Sequence, residues 1–235
     1  MRNYRFTVIL GVSLSLTAFP ATGAEPALTG QIVGVVRYID AVGPPQVITT
    51  TDGSQLRHFD LIVDGETKGL RYVVAILEDA PEQPKADKAK PVIMDQVDMV
   101  FTPRVLATQH GQKVIFENND ICNHSVMTIS PVRANQFNVV AGPGQPISHV
   151  FEKQARPVMV GCSLHGWMRG WVYVVPHPWF AVTDAKGKFH ITNVPPGRYT
   201  LLLAHADSNR HERRRIEVQP GQTTEVTIDW KDAKK

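Results

Sequence analysis

Cysteine is scarce in this chain of 235 residues: Cys122 and Cys162 are the whole supply. That is too few for an iron–sulfur cluster and enough for one disulfide at most. No C-x-x-C-H run occurs, which excludes covalently attached haem. Strong charge of one sign is also missing, with 25 Lys and Arg against 22 Asp and Glu. Such a balance gives no electrostatic footprint for a nucleic acid. Two further absences narrow the fold: no long amphipathic helix is legible, and no apolar run beyond the first 24 residues is long enough to cross a bilayer.

Those first 24 residues have a role of their own. Arg2 and Arg5 form a positive start, Phe6 to Phe19 is mostly apolar, and small residues end in "PATGA" at Ala24. This is the pattern of a secretory signal peptide over 1–24, cleaved after Ala24. It implies export to the periplasm and no membrane attachment after cleavage. Losing the two arginines leaves 23 basic against 22 acidic residues. In an oxidising compartment the simplest fate of Cys122 and Cys162 is a shared disulfide.

The rest reads as strand. "GQIVGVVRY", "RYVVAILE", "DMVFTPRVLA", "KVIFEN", "PVMVGC" and "GWVYVVP" are β-branched or alternating runs, separated by turn signals such as "HGQ" and "GPGQP". "PEQPKADKAKP", from Pro81 to Pro91, is a charged, proline-bounded loop. A second pattern follows Pro178. Asp184 and Gly187 suit a tight turn between two strands, Tyr199, Leu201 and Leu203 alternate inward, and "RRRIEVQPGQTTEVTIDW" predicts a closing hairpin. Arg213, Arg214 and Arg215 read as a solvated strand face.

One short stretch, "GCSLHGWM", sets Cys162, His165 and Met168 three residues apart. It falls between "PVMVGC" and "GWVYVV", so the three side chains share a tight loop between strands. Upstream, "VIFENNDICNHSV" runs from a strand into a polar loop that carries His124. If the two strand ends lie side by side, His124 completes a set of two imidazoles, one thiolate and one thioether. A His₂Cys arrangement with a weak axial Met selects copper and suits both its oxidation states. Zinc would take another Cys, His or carboxylate in place of the thioether. The other seven histidines (His58, His110, His149, His177, His190, His205 and His211) read as surface or satisfied core residues, and Met127 and Met159 as packing. Asn119 and Asp120 are expected to shape the loop before His124. Trp167, between two of the four, either rims a docking surface or packs the loop.

The run V-x-F-x-N-x-D…H-x-V, from Val114 to Val126, followed by C-x-x-H-x-x-M resembles the cupredoxins, the plastocyanin and amicyanin family. The motif D-x-x-G-x-F-x-I-x-x-V-P-P-G-x-Y-x-L, from Asp184 to Leu201, resembles the carboxypeptidase regulatory-like, transthyretin-type domain. The two in tandem are similar to bacterial proteins called plastocyanin-like or methylamine utilisation proteins. The resemblance implies an all-β chain: a Greek-key cupredoxin sandwich, then a small transthyretin-like β-sandwich without catalysis. It implies one copper per chain, with His124, Cys162 and His165 as strong ligands and Met168 as the weak axial one.

This sequence departs from the family pattern in three places. Ser125 stands where an Asn commonly ties the two ligand loops together, and Ser is expected to tie them less fully. Gly166 stands where short-loop members have Pro, which loosens the loop. Cys122 has no place in the motif, and three fates are open to it: an idle thiol, an extra ligand, or a disulfide with Cys162 that would abolish the site.

The expected division is therefore a signal peptide at 1–24, a β extension of the cupredoxin unit at 25–91, the copper-binding core at 92–176 and the regulatory-like domain at 177–235. The expected function is that of a periplasmic blue copper protein. It would carry single electrons between redox partners of cytochrome or dehydrogenase type, with no catalysis and no nucleic acid. The absence of any H-x-H pair argues against a multicopper oxidase or nitrite reductase. Two alternatives remain: a copper storage or trafficking protein without redox turnover, and a metal-free β scaffold stapled by Cys122–Cys162.

Overall fold

The structure, a computed structural model, describes residues 28–50 and 53–232; the leader segment read at 1–24 lies outside them. Among the described residues eighteen strands make up nearly all of the regular structure. The N-terminal segment holds β1 (Gly30–Tyr38), β2 (Gln46–Thr49), β3 (Gln55–His58) and β4 (Val74–Leu77). The middle of the chain holds β5 (Val92–Val97), β6 (Val100–Thr102), β7 (Val105–Gln109), β8 (Lys113–Asn118), β9 (His124–Ile129), β10 (Asn138–Ala141), β11 (Ile147–Val150), β12 (Val158–Gly161) and β13 (Arg169–Val175). The last part holds β14 (Phe180–Val182), β15 (Lys188–Val194), β16 (Gly197–His205), β17 (Arg210–Val218) and β18 (Thr223–Trp230). Among the described residues one 3₁₀ turn, Arg133–Asn135, is the only helical element.

The middle strands form two facing sheets, ordered β10-β9-β12-β13-β7 and β11-β8-β5-β6. Between them Phe116, Val126, Phe151, Val160 and Met94 are almost wholly buried, and Cys162 and Met168 belong to the same cluster. Each such side chain contributes on the order of 1.5–3 kcal/mol. The alternation read in "KVIFEN" is the inward–outward pleat of β8, whose Val114 and Phe116 face this core.

The other sandwich draws on both ends of the chain. Its sheets are β15-β1-β18 and β14-β4-β16-β17. Here the structure corrects the expected division: β1 and β4, read within an extension of the first sandwich, belong to the second. β1 lies between β15 and β18, antiparallel to one and parallel to the other, and β4 lies between β14 and β16. Ile32, Val36, Leu70 and Leu77 accordingly pack with Tyr199, Leu201 and Leu203. An alternating strand pattern states which face is apolar, not which sheet receives it. The closing hairpin is corrected for the same reason. β17 pairs with β16, and β18 pairs with β1 in the opposite sheet.

Local turn chemistry follows the motif. Asp184 Oδ1 accepts the backbone N–H groups of Lys186 and Lys188 at 2.8 and 2.9 Å. Gly187 sits at φ +72°, and a Cβ there would lie 2.2 Å from the carbonyl oxygen of Val36, so only glycine fits. The 81–91 loop is less free than its composition suggests. Backbone bonds from Gln83 to Pro176 and from Ala86 to His110 lay it along the first sandwich. Of the three arginines, Arg213 pairs with Glu78 and Arg214 with Glu212, as an exposed strand face does.

The two sandwiches are joined around Asp207, whose side chain is fully buried. Its Oδ1 accepts the indole N–H of Trp171 at 2.7 Å. Its Oδ2 lies 2.9 Å from Arg104 Nη2, an ionic contact without the alignment of a hydrogen bond. Tyr72, Val74, Val105 and Tyr173 pack beside it, from both units.

Candidate metal centre

Three of the four residues singled out in sequence, His124, Cys162 and His165, bring their donor atoms together at one end of the first sandwich. His124 opens β9; Cys162 follows the end of β12; Met168 immediately precedes β13. β9 and β12 are neighbours in register, with Gly161 opposite Met127, which brings the two ligand segments side by side. The loop from Cys162 to Met168 closes on itself through Met168 N–H donating to the His165 carbonyl at 3.0 Å.

Three donor atoms form a compact triangle. His124 Nδ1 lies 3.0 Å from His165 Nδ1. Cys162 Sγ lies 4.0 Å from the first and 3.7 Å from the second. A point about 2.1 Å from all three exists within a triangle of these sides, inside the roughly 2.0–2.3 Å at which imidazole and thiolate hold transition metals. The donor set thus fits a metal ion without rearrangement. Met168 is buried in the same core cluster as Cys162, out of water.

The imidazole orientations have identifiable causes. His124 is fully buried, and its Nε2 lies 2.7 Å from Asp120 Oδ2. With Nε2–H donated to that carboxylate, Nδ1 presents a lone pair to the triangle, and the hydrogen of the contact between the two rings is on His165 Nδ1. His165 is half-buried. Burial, then the neighbouring His124, holds its pKa below the ordinary histidine value. Asp120 is itself fixed by the backbone N–H groups of Asp98 and Met99, at 2.8 and 3.0 Å.

The sequence pattern assigns the shaping of the loop before His124 to Asn119 and Asp120. The structure gives that work to Asn118. Its Nδ2 donates to the carbonyls of Cys122 and Ala141, both at 3.0 Å, and its Oδ1 accepts Asp120 N–H. Asp120 instead reaches the β5–β6 turn and the His124 ring, a role that no sequence spacing signals. Asn119 donates to Asp95 Oδ2 at 2.8 Å.

Ser125 ties the ligand loops more fully than expected. Its Oγ accepts Ser163 N–H at 2.7 Å, and its own N–H donates to Cys162 Sγ at 3.3 Å. Ser163 Oγ in turn lies 3.4 Å from Asn138 Oδ1 on β10. Gly166 is exposed, and a Cβ there would meet nothing within 4 Å, so no close approach demands glycine. Trp167 packs the loop: its indole N–H donates to the Met99 carbonyl at 3.2 Å, and its ring centroid lies 5.2 Å from that of His165.

Both cysteines are free thiols. Cys122 approaches the other ring nitrogen of His124, with Sγ 3.6 Å from Nε2 and 3.7 Å from Met99 Sδ. Burial and the Asp120 charge push its thiol pKa up.

Residues 172–231 match the family model of the carboxypeptidase regulatory-like domain. The expectation for the C-terminal unit is met, with the match beginning inside β13 rather than at residue 177. A hydroxylamine reductase of Burkholderia lata is 32% identical over 84 residues, which is 35% of this chain and 15% of that protein. The chain therefore spans only a small part of that relative. Among solved structures, a copper-containing nitrite reductase from Thermus scotoductus is similar at 26% identity and a TM-score of 0.33, over 36% of this chain and 22% of its own. A purple cupredoxin from Nitrosopumilus maritimus is similar at 24% identity and a TM-score of 0.31, over 37% of this chain and 99% of its own. A reduced amicyanin variant gives 20%, 0.32, 43% and 97% in the same order. The all-β architecture of two sandwiches, expected from the motifs, is met by the strand topology.

Proposed function

We propose that this chain is a type 1 copper protein that carries single electrons between redox partners in the periplasm. The observation that carries the reading is the triangle of His124 Nδ1, His165 Nδ1 and Cys162 Sγ, with Met168 buried beside it. Copper held there supplies a one-electron change between Cu(I) and Cu(II). The protein's contribution is rigidity. Asp120 turns one ring, Ser125 locks the two ligand loops together, and the sandwich core holds Cys162 and Met168 out of water. Donors fixed in this way reorganise little when charge changes.

His165 is the half-exposed donor, and apolar side chains occupy the same end of the sandwich. Ile121 is fully exposed, and Leu164 and Val140 are about half exposed. Such a surface suits brief docking of a cytochrome- or dehydrogenase-type partner through a small interface. The regulatory-like unit, joined through Asp207, would set the orientation of that end.

The test is the visible absorption spectrum of the protein with one equivalent of Cu(II), beside Cys162→Ala. An intense thiolate-to-copper band, lost in the variant, is the expected result. A colourless wild-type protein would sink the reading.

A further inference from the structure

Cys122 and Met99 play no part in the triangle, yet Cys122 lies against the Nε2 edge of one of its rings and Met99 against Cys122. Their sulfurs are 3.7 Å apart, so both can reach one metal ion at the roughly 2.3 Å usual for metal–sulfur bonds. His124 Nε2 lies 3.6 Å from Cys122 Sγ. Donor atoms of Cys122, His124 and His165 all fall within 4.8 Å of one another. Cys122 and Met99 are both partly exposed, whereas Cys162 and Met168 are buried. Met99 occupies the second position of a two-residue hairpin turn at φ +61°, a conformation that turns of this kind normally give to glycine or asparagine. The turn is held there by Asp120 and by Trp167.

We propose that Cys122, Met99 and Nε2 of His124 form a second, outer site for Cu(I), through which copper reaches the inner donors. A thiolate with a thioether favours the soft cuprous ion. The outer site stands independently of the electron-carrier reading; the relay to the inner donors rests on it.

Asp120 Oδ2 stands 2.7 Å from His124 Nε2, so an ion on Nε2 takes that nitrogen from Asp120 and has the carboxylate beside it. With the ring hydrogen on Nε2, donated to Asp120, Nδ1 is open to the inner ion. On arrival from a cuprous carrier, the Cys122 S–H bond breaks, a copper–sulfur bond forms, and the proton leaves to solvent. On transfer inward, Cys162 releases its proton in the same way and Cys122 regains one. Copper stays Cu(I) throughout, so no oxidant or reductant is needed.

The experiment titrates the copper-free full chain with Cu(I) held by bicinchoninate, on variants that separate the two sites. Cys162→Ala should still withdraw one Cu(I) per chain. Adding Cys122→Ser should abolish that binding, and adding Met99→Leu, which keeps the apolar shape, should weaken it at least tenfold. Cys122→Ser alone should give the full blue band at equilibrium but take up Cu(I) at least tenfold more slowly than wild type. A Cys162→Ala protein that binds no more Cu(I) than its double variant overturns the outer site. Wild-type uptake rates in Cys122→Ser overturn the relay. If the wild type lacks a blue band while Cys162→Ala still binds Cu(I), the outer site stands and the electron-carrier reading fails alone.

Discussion

Asp120 and His124 meet at 2.7 Å, carboxylate oxygen to Nε2, and this contact decides which nitrogen of the ring faces Cys162. The carboxylate adds a negative charge next to the donor set, which favours the more highly charged oxidised metal. Asp120→Asn should raise the reduction potential and weaken Cu(II) binding by about 10–100-fold, the usual cost of losing such a partner. Cu(I) affinity should change less. Voltammetry and a Cu(II) competition assay read the two effects. An unchanged or lowered potential would show that the contact only orders the loop.

The buried Asp207 should matter for stability rather than colour. Asp207→Ala leaves Arg104, whose side chain is only 11% exposed, without its counter-charge, and leaves the Trp171 indole N–H without an acceptor. Breaking a buried pair from one side costs about 3–5 kcal/mol. Urea denaturation should therefore show a loss of several kcal/mol while the blue band at low denaturant is retained. A loss under about 1 kcal/mol would mean that water enters and solvates Arg104.

Acid should destabilise the second sandwich through buried neutral histidines. Burial, against the opposing charge of Asp207 and with help from Arg104 and Arg210, holds the pKa of His205 down at about 4. Burial also lowers that of His177, which contacts the Leu77 carbonyl at 2.8 Å. In the unfolded chain both titrate near about 6.5. The folded state thus binds fewer protons below that value. The stability from keeping these rings neutral is complete above about pH 6.5 and is lost progressively as pH falls toward the folded values. The urea midpoint of the copper-free protein should be clearly lower at pH 5 than at pH 7. Equal midpoints would show that the rings are solvated.

Much of the site was legible because its chemistry is local. Cys162, His165 and Met168 share one tight loop, so their spacing singles them out as candidate donors, and donor softness points to copper. Asp184 and Gly187 are legible for a similar reason: a tight turn fixes which residue accepts the backbone N–H groups and which must lack a Cβ. Periodicity likewise marked Tyr199, Leu201 and Leu203 as core.

What the tertiary structure alone decided is everything that depends on which strand lies beside which. The pattern of β1 names its apolar face but cannot say that the strand crosses to a partner near the other end of the chain, between β15 and β18. The same holds at the metal centre. Asp120 reaches His124 only because it also caps the β5–β6 turn, and Met99 meets Cys122 only because that turn folds over the loop. Sequence spacing reports contacts along one loop or one strand face. Contacts between loops arise from sheet order and register, and those are settled only when the sandwich closes.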